Sequence, residues 1–368
     1  MDVPKGKGSL ELQNEVMNAG MCTACGLCVG MCPYIKTAGE RVAVIYPCGL
    51  AEGDCYKICP RTPADLADLD RHVFGAERDD HVLGNHAGLF WARAADPVTA
   101  RRGQYGGTVS ALTAYALERG VIEAAVVAGD TGAAYPGPVV ARTREEVLAC
   151  AGSRYSAAPT LAGLHRAARD GAGAVGVVGR PCQVTALRKM QALGGGGRHP
   201  AAGKVGLVIG LFCFWSLSPD FYRFLADNVD VDLVTKVDIP VEGLVVTTRD
   251  GERRWPVEEI RRFIRPACLE CFDPVAEMAD LSVGSTECDP RWNTLVVRTA
   301  AGRQLVNEAV AAGVLEIKTY PPERVDILRR AVRNKKLRTL AAQEARGEAA
   351  YLRLPGEYRR RLKEEGES

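Results

Sequence analysis

Four of the thirteen cysteines in this chain of 368 residues stand in one short run. Cys22, Cys25, Cys28 and Cys32 form the pattern C-x2-C-x2-C-x3-C-P, which is typical of iron–sulfur ligands. Disulfides are disfavoured, because this spacing crowds the sulfurs too closely for ordered pairing. A zinc site is the main alternative, but zinc usually takes separated C-x-x-C pairs or added histidines, and no histidine precedes His72. The run therefore predicts a protein that carries electrons.

Composition narrows the class of protein. Hydrophobic residues make up 47% and charged residues 25%, and the net charge of +2 does not favour nucleic acid as a partner. The first twelve residues lack the apolar segment of a secretory signal. The longest apolar run, 205–215, is about half the length of a membrane span. We therefore expect a cytoplasmic protein of two or three domains that meets a membrane only through a partner.

Three further cysteines complete a cysteine-rich head over residues 1–65. Cys48, Cys55 and Cys59-Pro60 form the pattern C-x6-C-x3-C-P. The head resembles bacterial two-cluster ferredoxins, in which each cysteine before a proline binds the opposite cluster. That crossover implies two ligand sets: Cys22, Cys25, Cys28 and Cys59 in the first, and Cys32, Cys48 and Cys55 in the second.

The second set has only three thiolates, so its cluster stays open at this point. Seven cysteines cannot fill two four-cysteine sites. The widened spacing resembles the seven-iron ferredoxins, whose second centre is [3Fe–4S]. Alternatively, a carboxylate such as Asp54 binds a fourth iron, or only one cluster forms and Cys48 and Cys55 are buried thiols. We expect two clusters in the head.

Beyond residue 100 the pattern changes to apolar runs separated by glycines. Gly106-Gly107-Thr108 leads into a helical pattern over 111–119, and a β-like run follows over 121–128. A glycine loop that runs into a helix N-terminus can bind an anion, because backbone N–H groups and the helix dipole face it. The alternative is an ordinary helix start with Thr108 as the N-cap.

Two later apolar runs each end at a cysteine. Residues 174–183 predict a buried strand and a turn, and residues 184–193 predict a helix. The run over 205–213 is a second strand pattern. Because such units place ligands at the carboxyl edge of an α/β sheet, Cys182 and Cys213 are expected at the same edge. For either cysteine alone, core packing is the favoured explanation.

A C-x-x-C pair raises the number of available thiolates in this region to four. Cys268 and Cys271 follow the two strand-end cysteines along the chain. Four thiolates suffice for one further [4Fe–4S] cluster. Asp273 and Asp280 nearby are interpreted either as partners of the ligands or as a turn residue and a cap.

Seven short motifs occur in one order, at residues 106–112, 151–156, 178–183, 210–213, 268–273, 279–285 and 296–299. Their order resembles the beta subunit family of coenzyme F420 hydrogenases and dehydrogenases over residues 95–320. The resemblance implies a flavoprotein with FAD, at least one [4Fe–4S] cluster, and hydride exchange at the flavin. The family pattern commonly has Thr before Pro181, whereas this chain has Arg180, which leaves the substrate open.

The resemblance also implies two groups of site residues. Those expected at FAD are Gly106, Gly107, Thr108, Ser153, Arg154, Tyr155, Ser156, Ser285 and Arg298. Those expected at the cluster beside it are Cys182, Cys213, Cys268 and Cys271. No catalytic residue is assigned, because no nucleophile–His–Asp set is visible and the cofactor carries the chemistry.

The sequence thus predicts an α/β (α+β) flavin-binding domain with an N-terminal two-cluster ferredoxin-like head. The expected boundaries are a head over 1–65, a linker over 66–95, the FAD and [4Fe–4S] domain over 96–320, and a charged helical tail over 321–368. The tail is either an arm that grips a partner subunit or a solvated amphipathic helix.

The expected function is that of an iron–sulfur flavoprotein oxidoreductase subunit. It would pass electrons between an F420-like hydride carrier at FAD and one-electron partners, in contact with hydrogenase-, formate dehydrogenase- or ferredoxin-like redox subunits. Two alternatives are a subunit of a larger bacterial redox complex that uses ferredoxin or NAD(P)H, and a pure electron-transfer adaptor. No nucleic acid and no direct membrane span are expected.

Overall fold

We analysed a computed structural model of the chain, which describes residues 6–132, 135–194, 199–345 and 351–364. The strands are β1 (Ile35–Ala38), β2 (Arg41–Val44), β3 (Ala64–Asp65), β4 (Gly88–Ala94), β5 (Ala124–Gly129), β6 (Gly137–Ala141), β7 (Val175–Gly179), β8 (Val205–Leu211), β9 (Val234–Asp238), β10 (Gly243–Thr248), β11 (Gly251–Pro256), β12 (Leu281–Ser285), β13 (Asn293–Val297), β14 (Leu315–Thr319) and β15 (Leu352–Arg353).

The α-helices are α1 (Ser9–Glu11), α2 (Asp54–Lys57), α3 (Leu66–Phe74), α4 (Pro97–Arg102), α5 (Thr108–Glu118), α6 (Arg144–Ala149), α7 (Ala162–Arg169), α8 (Pro181–Ala192), α9 (Asp220–Asn228), α10 (Val257–Arg261), α11 (Pro266–Leu269), α12 (Ala300–Ala311), α13 (Pro322–Ala345) and α14 (Gly356–Glu364). A π-helical turn covers Leu12–Met17, and 3-10 turns cover Ala202–Lys204 and Val231–Leu233.

An eight-stranded mixed sheet forms the body, in the order β14-β4-β13-β12-β8-β7-β5-β6. The four strands β12, β8, β7 and β5 are parallel, and the flanking strands pair antiparallel. The inner strands are nearly continuous apolar runs, as expected for strands that are covered on both faces. This architecture confirms the predicted mixed α/β class.

Helices cover both faces of this sheet. On one face, α5, α6 and α12 pack their apolar side chains against the strands. On the other face lie α7 and α8, and the head, α3, α13 and α14 join the same apolar cluster. The head is therefore docked on the body, where Cys25, Leu27 and Ile58 belong to the same core.

The head is a small unit built around its cysteines. The hairpin of β1 and β2 and the first helical turns pack into a core that includes Leu12, Ile35 and Tyr56. Its cysteines pack against this core. With so few apolar side chains, the head depends on the body for much of its burial.

A second small sheet covers the carboxyl edge of the main sheet. Strands β9, β10 and β11 form an antiparallel sheet that packs with α9 and α10 in a separate apolar cluster. This unit is inserted between β8 and β12, so it stands over the ends of the parallel strands. We call it the cover unit, residues 214–265.

The structure differs from the sequence prediction in the segment that was expected to be a linker. The segment 66–95 contains α3 and β4, and β4 pairs with both β13 and β14 inside the main sheet. The last part of the expected linker therefore belongs to the body. Parts of the predicted head and tail, residues 1–5, 346–350 and 365–368, lie outside the described residues.

The tail packs against the body. In α13, Val332, Lys336 and Leu340 are buried, and in α14 Tyr358 and Leu362 are buried in the same cluster. The tail therefore serves as part of the core, an outcome that neither sequence interpretation anticipated. Among the described residues, no helix is both long enough and apolar enough to cross a membrane.

A buried ion network ties the tail to the body. Glu277 is 2% exposed, and the Nζ atom of Lys336 lies 2.7 Å from its Oε1 atom. Arg78 forms an ion pair with Glu277 and another at 2.8 Å with Asp70. Burial raises the pKa of Glu277, but the two cations outweigh it and the net pKa is below its usual range.

We expect Glu277→Gln to destabilise the fold by about 3–5 kcal/mol, because it leaves buried cations without compensating charge. The free energy of unfolding in urea measures this. The matched control is Glu316→Gln, whose pair with Arg93 is at the surface and is worth less than about 1 kcal/mol. Equal losses in the two variants would show that the buried network contributes no more than a surface pair.

Candidate cofactor cleft and cysteine sets

A cleft of about 360 Å³ opens at the carboxyl ends of the parallel strands. Val127 and Ala128 of β5, Val178 of β7, Leu211 of β8 and Val283 of β12 line its floor. Loops beyond the carboxyl ends of such strands are where α/β proteins bind ligands. Its size lies within the usual range for small-molecule sites.

The cleft contains seven of the nine residues that were expected to hold FAD. These are Gly107, Thr108, Ser153, Arg154, Tyr155, Ser156 and Ser285. They come from three separate parts of the chain, at the start of α5, after α6 and at the end of β12. The sheet therefore brings the motifs 106–112, 151–156 and 279–285 to one place.

Two of the nine expected residues do not line the cleft. Gly106 lies next to it, where its carbonyl accepts a hydrogen bond from Ala94 N at 2.8 Å. Arg298 is 5% exposed, and its guanidinium donates to Ser282 Oγ at 2.7 Å and to backbone carbonyls, among them Leu83 O at 2.9 Å. Because these acceptors engage its donors inside the core, we remove Arg298 from the candidate site.

The start of α5 leaves polar groups available to the cleft. Gly107 adopts a left-handed conformation (φ 71°) and provides no side-chain cap. A Cβ atom there would come within 2.6 Å of Thr99 O, so only glycine fits. The Thr108 Oγ1 atom is buried without a hydrogen-bond partner among the described residues. A buried hydroxyl of this kind indicates a missing polar ligand group.

Two hydrogen bonds connect the middle of the cleft with the cover unit. The Tyr155 hydroxyl donates to Asp238 Oδ1 at 3.2 Å, and Gln104 Nε2 donates to Val237 O at 3.1 Å. Burial, followed by the charge of Asp238, raises the pKa of both Tyr105 and Tyr155 above the usual range. These tyrosines are therefore neutral donors on the cleft wall.

The cysteines of the predicted first head set lie in one buried neighbourhood. Burial raises the pKa of the Cys28 thiol well above its ordinary value. The neighbouring thiols that raise it further are those of Cys25, Cys22, Cys59 and Cys55. Cys59 thus lies with the first three cysteines, although more than thirty positions separate it from Cys25.

The remaining head cysteines form a second neighbourhood. Burial raises the pKa of Cys55 to about 11, and the Cys32 and Cys48 thiols contribute to the rise. Ser9 Oγ donates to Cys48 Sγ at 3.3 Å. The carboxylate of Asp54 lies 3.1 Å from His199 Nε2, so it already has a partner.

The four body cysteines also lie together. Cys182 follows β7, Cys213 follows β8, and the C-x-x-C pair lies on and beyond α11. Burial raises the pKa of Cys213 above its usual range, Arg180 opposes the rise, and the thiols of the other three body cysteines add to it. Cys213 also lines the cleft, so this set borders the candidate FAD site.

The three sets follow one another in space. The Cys182 thiol of the body set raises the pKa of Cys22 and Cys25, after the larger effect of burial. The Cys55 thiol of the second head set raises the pKa of Cys28, again after the larger effect of burial. The order is therefore cleft, body set, first head set and second head set.

Buried cations surround these thiols. Lys189 is 1% exposed, and its Nζ atom donates to Cys59 O at 2.6 Å and to Thr62 O at 3.0 Å. Burial lowers the pKa of Lys189 to about 8, although the thiols of Cys59 and Cys25 oppose the shift. No carboxylate of the described residues pairs with it.

Lys335 takes a similar position behind the body set. Its Nζ atom donates to Cys268 O at 2.6 Å. Burial lowers its pKa, while the thiols of Cys271 and Cys268 oppose the shift. Cations buried without carboxylates are costly unless an anionic group lies nearby, and thiolate-bound iron–sulfur clusters would provide one.

Sequence reasoning missed these cations. Lys189 stands 130 positions from the Cys59 carbonyl that it binds, and Lys335 stands 67 from Cys268. Lys189 and its neighbour Arg188 both belong to the buried part of α8, for which the sequence pattern gave no signal. Asp273 proves to be a turn residue, whose Oδ1 accepts from Val275 N. Asp280 caps no helix: its Oδ2 accepts from Val208 N of β8, and its Oδ1 accepts from the hydroxyl of Thr299, the N-cap of α12.

The cysteine sets do not converge on single points. In the described ranges, no group of three or more His, Cys, Asp or Glu side chains is placed to hold one metal ion. Tetrahedral zinc needs such convergence. In a cubane cluster each thiolate binds its own iron atom, so the ligands stand further apart.

Two further cysteines belong to none of the sets. Cys150 lines the cleft close to Gly129, and Cys288 is exposed in a loop.

Two models of one protein family match the chain. The family is that of the beta subunit of coenzyme F420 hydrogenase/dehydrogenase. The model of its amino-terminal part matches residues 89–165, and the model of its carboxy-terminal part matches residues 173–323. The matched region contains the cleft and the body set, and the cysteine-rich head precedes it.

Several characterised proteins are similar in sequence. Coenzyme F420 hydrogenase subunit beta of Methanothermobacter thermautotrophicus is 36% identical over 242 residues, which are 64% of this chain and 86% of that protein. The same subunit of Methanosarcina barkeri is 34% identical over 70% of this chain and 91% of its own length. The coenzyme F420-dependent sulfite reductase of Methanocaldococcus jannaschii is 32% identical over 80% of this chain and 47% of its own length.

A solved structure is similar in fold. A chain of the F420-reducing [NiFe] hydrogenase complex from Methanosarcina barkeri, studied by xenon derivatization, superimposes with a TM-score of 0.69 at 32% identity. The match covers 74% of this chain and 95% of that one. The large mixed sheet is therefore shared with that protein.

We expect Cys59→Ala to lower the iron content of the anaerobically reconstituted chain by about four atoms, because Cys59 completes the first head set. Iron and acid-labile sulfide per chain measure this loss. The control is Cys288→Ala, which removes an exposed thiol outside the sets and should leave iron unchanged. Full iron content in the Cys59 variant would contradict the crossover.

Proposed function

Because the chain belongs to the coenzyme F420 hydrogenase/dehydrogenase beta subunit family, we propose that it is an FAD-containing iron–sulfur subunit. In this proposal it passes electrons between an F420-type deazaflavin in the cleft and one-electron partners beyond the head. The chain is an oxidoreductase of a family whose named members act on coenzyme F420. The proposal adds FAD, the iron–sulfur clusters and the partner subunits to what family membership establishes.

The observation that carries the proposal is the spatial order of the sites. The cleft borders Cys213, the body set lies next to Cys22 and Cys25, and the second head set lies next to Cys28. A bound flavin exchanges electron pairs as hydride, and iron–sulfur clusters carry single electrons. Sites in this order would allow electron pairs from the flavin to leave as single electrons through the clusters.

The residues that would hold FAD suit a phosphate-bearing ligand. Thr108, Val109 and Ser110 at the start of α5 line the cleft, and helix N-termini favour anions. The Thr108 N–H donates to Asn293 Oδ1, whereas the Thr108 hydroxyl has no hydrogen-bond partner among the described residues. Arg154 lines the same cleft and can bind a phosphate through two N–H groups. The Ser156 hydroxyl lies beside Tyr222 without a hydrogen bond of normal geometry, so it can also serve the ligand.

The residues that would hold the clusters suit anionic groups. Lys189, Lys335 and Arg180 lie close to the thiols; the two lysines are buried, and Arg180 is partly buried at the cleft. Their charge would offset that of thiolates bound to iron. We assign a [4Fe–4S] cluster each to the body set and the first head set, and a [3Fe–4S] cluster to the three thiolates of the second.

The partners are proposed to be other redox subunits. The similar solved chain was determined in a hydrogenase complex, and the relatives are named as subunits of hydrogenases. In this chain the head lies at the far end of the series from the cleft. We therefore propose that the head faces the partner subunit.

The first test is cofactor content and activity of the anaerobically reconstituted chain. We expect bound FAD, and reduction of coenzyme F420 when reduced viologen supplies single electrons. Absence of FAD after reconstitution would overturn the proposal. FAD without F420 reduction would instead favour the alternative in which ferredoxin or NAD(P)H replaces F420. Clusters without flavin would favour the electron-transfer adaptor.

We expect Thr108→Val to weaken FAD binding by roughly tenfold or more, because it removes a hydroxyl positioned for a charged ligand group while keeping the side-chain volume. Fluorescence titration of the flavin-free chain with FAD measures the affinity.

The control for this variant is Thr235→Val on β9, whose hydroxyl donates to Thr247 O outside the cleft. It should bind FAD like the unmodified chain. Equal affinity in all three proteins would remove Thr108 from the site.

A further inference from the structure

Arg180 occupies the boundary between the cleft and the cysteine sets. It stands directly before α8, and its side chain lines the cleft. Its guanidinium donates to Ser216 Oγ and, at 3.5 Å, to Ala158 O. These acceptors fix the charged group in one place at the carboxyl edge of β7 and β8.

The same guanidinium faces the proposed cluster ligands. Ser216, its hydrogen-bond acceptor, donates from its backbone N to Cys268 Sγ at 3.3 Å. Cys182 lies two positions further along the chain. The thiols of Cys182, Cys213, Cys268 and Cys25 lie close enough to act electrostatically on the guanidinium.

Arg180 differs in this respect from the other cations of the site. Among the described residues of the cleft wall, Arg154 is the other cation, and it lies beside Cys150 instead. Lys335 and Lys189 bind backbone carbonyls near the thiols but do not line the cleft. Arg180 therefore places one fixed charge next to both the cleft and the thiols.

We propose that Arg180 raises the reduction potential of the cluster held by Cys182, Cys213, Cys268 and Cys271. The inference rests on the proposed function, since it takes those four thiolates as cluster ligands. When this site takes up one electron from the cleft side, no atom or proton moves and its total charge becomes more negative by one. A partly buried cation stabilises the more negative state, because electrostatic interactions are strong where water is excluded.

Arg180 is therefore a positioning residue: it affects electron transfer through the positive charge that it places beside the cluster ligands. A higher potential favours movement of single electrons out of the cleft and into the body set. Through Cys25, a smaller effect of the same sign reaches the first head set. The potential of the body site, and not the rate alone, is therefore the quantity that Arg180 controls.

The test compares Arg180→Met and Arg180→Lys in the full reconstituted chain. EPR-monitored redox titration gives the midpoint potential of each cluster without requiring flavin or F420. We expect the Met variant to lower the potential of the body cluster, with a smaller fall for the first head cluster. The Lys variant should keep most of the original value, because it keeps the charge. Arg166→Met, which removes an exposed cation whose guanidinium donates to Pro138 O outside the cleft, should leave the cluster potentials unchanged.

Each outcome decides the inference. An unchanged body potential in the Met variant at full iron content would overturn it, as would an equal fall in the Met and Lys variants. If Arg180→Met and Arg180→Gln both fail to assemble the body cluster while Arg180→Lys succeeds, Arg180 is required for binding rather than for potential, and the inference fails. Absence of a body cluster in the unmodified chain would instead count against the cluster assignment in the proposed function.

Discussion

The hydrogen bond from Leu161 N to Cys25 O, at 3.0 Å, fixes where the cysteine loop meets the body. The residues around this hydrogen bond are closely packed. A Cβ atom on Gly26 would approach Pro159 O to 2.4 Å, and His165 Nε2 lies 2.8 Å from Leu27 O. A side chain at position 26 would therefore push the loop away from the body. This contact sets the first head set beside Cys182, so the proximity of the head and body cysteine sets depends on it.

The positions of two cations also depend on this contact between the head and the body. Docking the head buries Lys189 under the loop that carries Cys59, and Arg265 reaches from the body to Glu40 and to Cys22 O. Such cations are tolerated in a core only when negative charge compensates them. Arg265 has Glu40 as its carboxylate partner, whereas Lys189 has no carboxylate partner among the described residues, which agrees with the proposal of an anionic cluster beside it.

Much of this could be predicted from the sequence because the signals are local. The C-x2-C-x2-C-x3-C-P run and the strand-end positions of Cys182 and Cys213 are visible within a few residues. The cation environment was not predictable in the same way, because each cation meets its thiols across a long separation in the chain. Arg298 shows the opposite error: the motif is recognisable, but the fold directs its guanidinium to core carbonyls instead of to the cleft.

The long helix α13 closes the site from behind. Lys335 and Thr339 on this helix bind the carbonyls of Cys268 and Cys271, the latter at 3.1 Å. The helix follows every one of these cysteines in the chain, so during synthesis the ribosome releases the ligand loop before the segment that secures it. Until α13 has been made, the loop around Cys268 and Cys271 lacks these backbone contacts. The ordering of these two cysteines is therefore completed only when α13 docks.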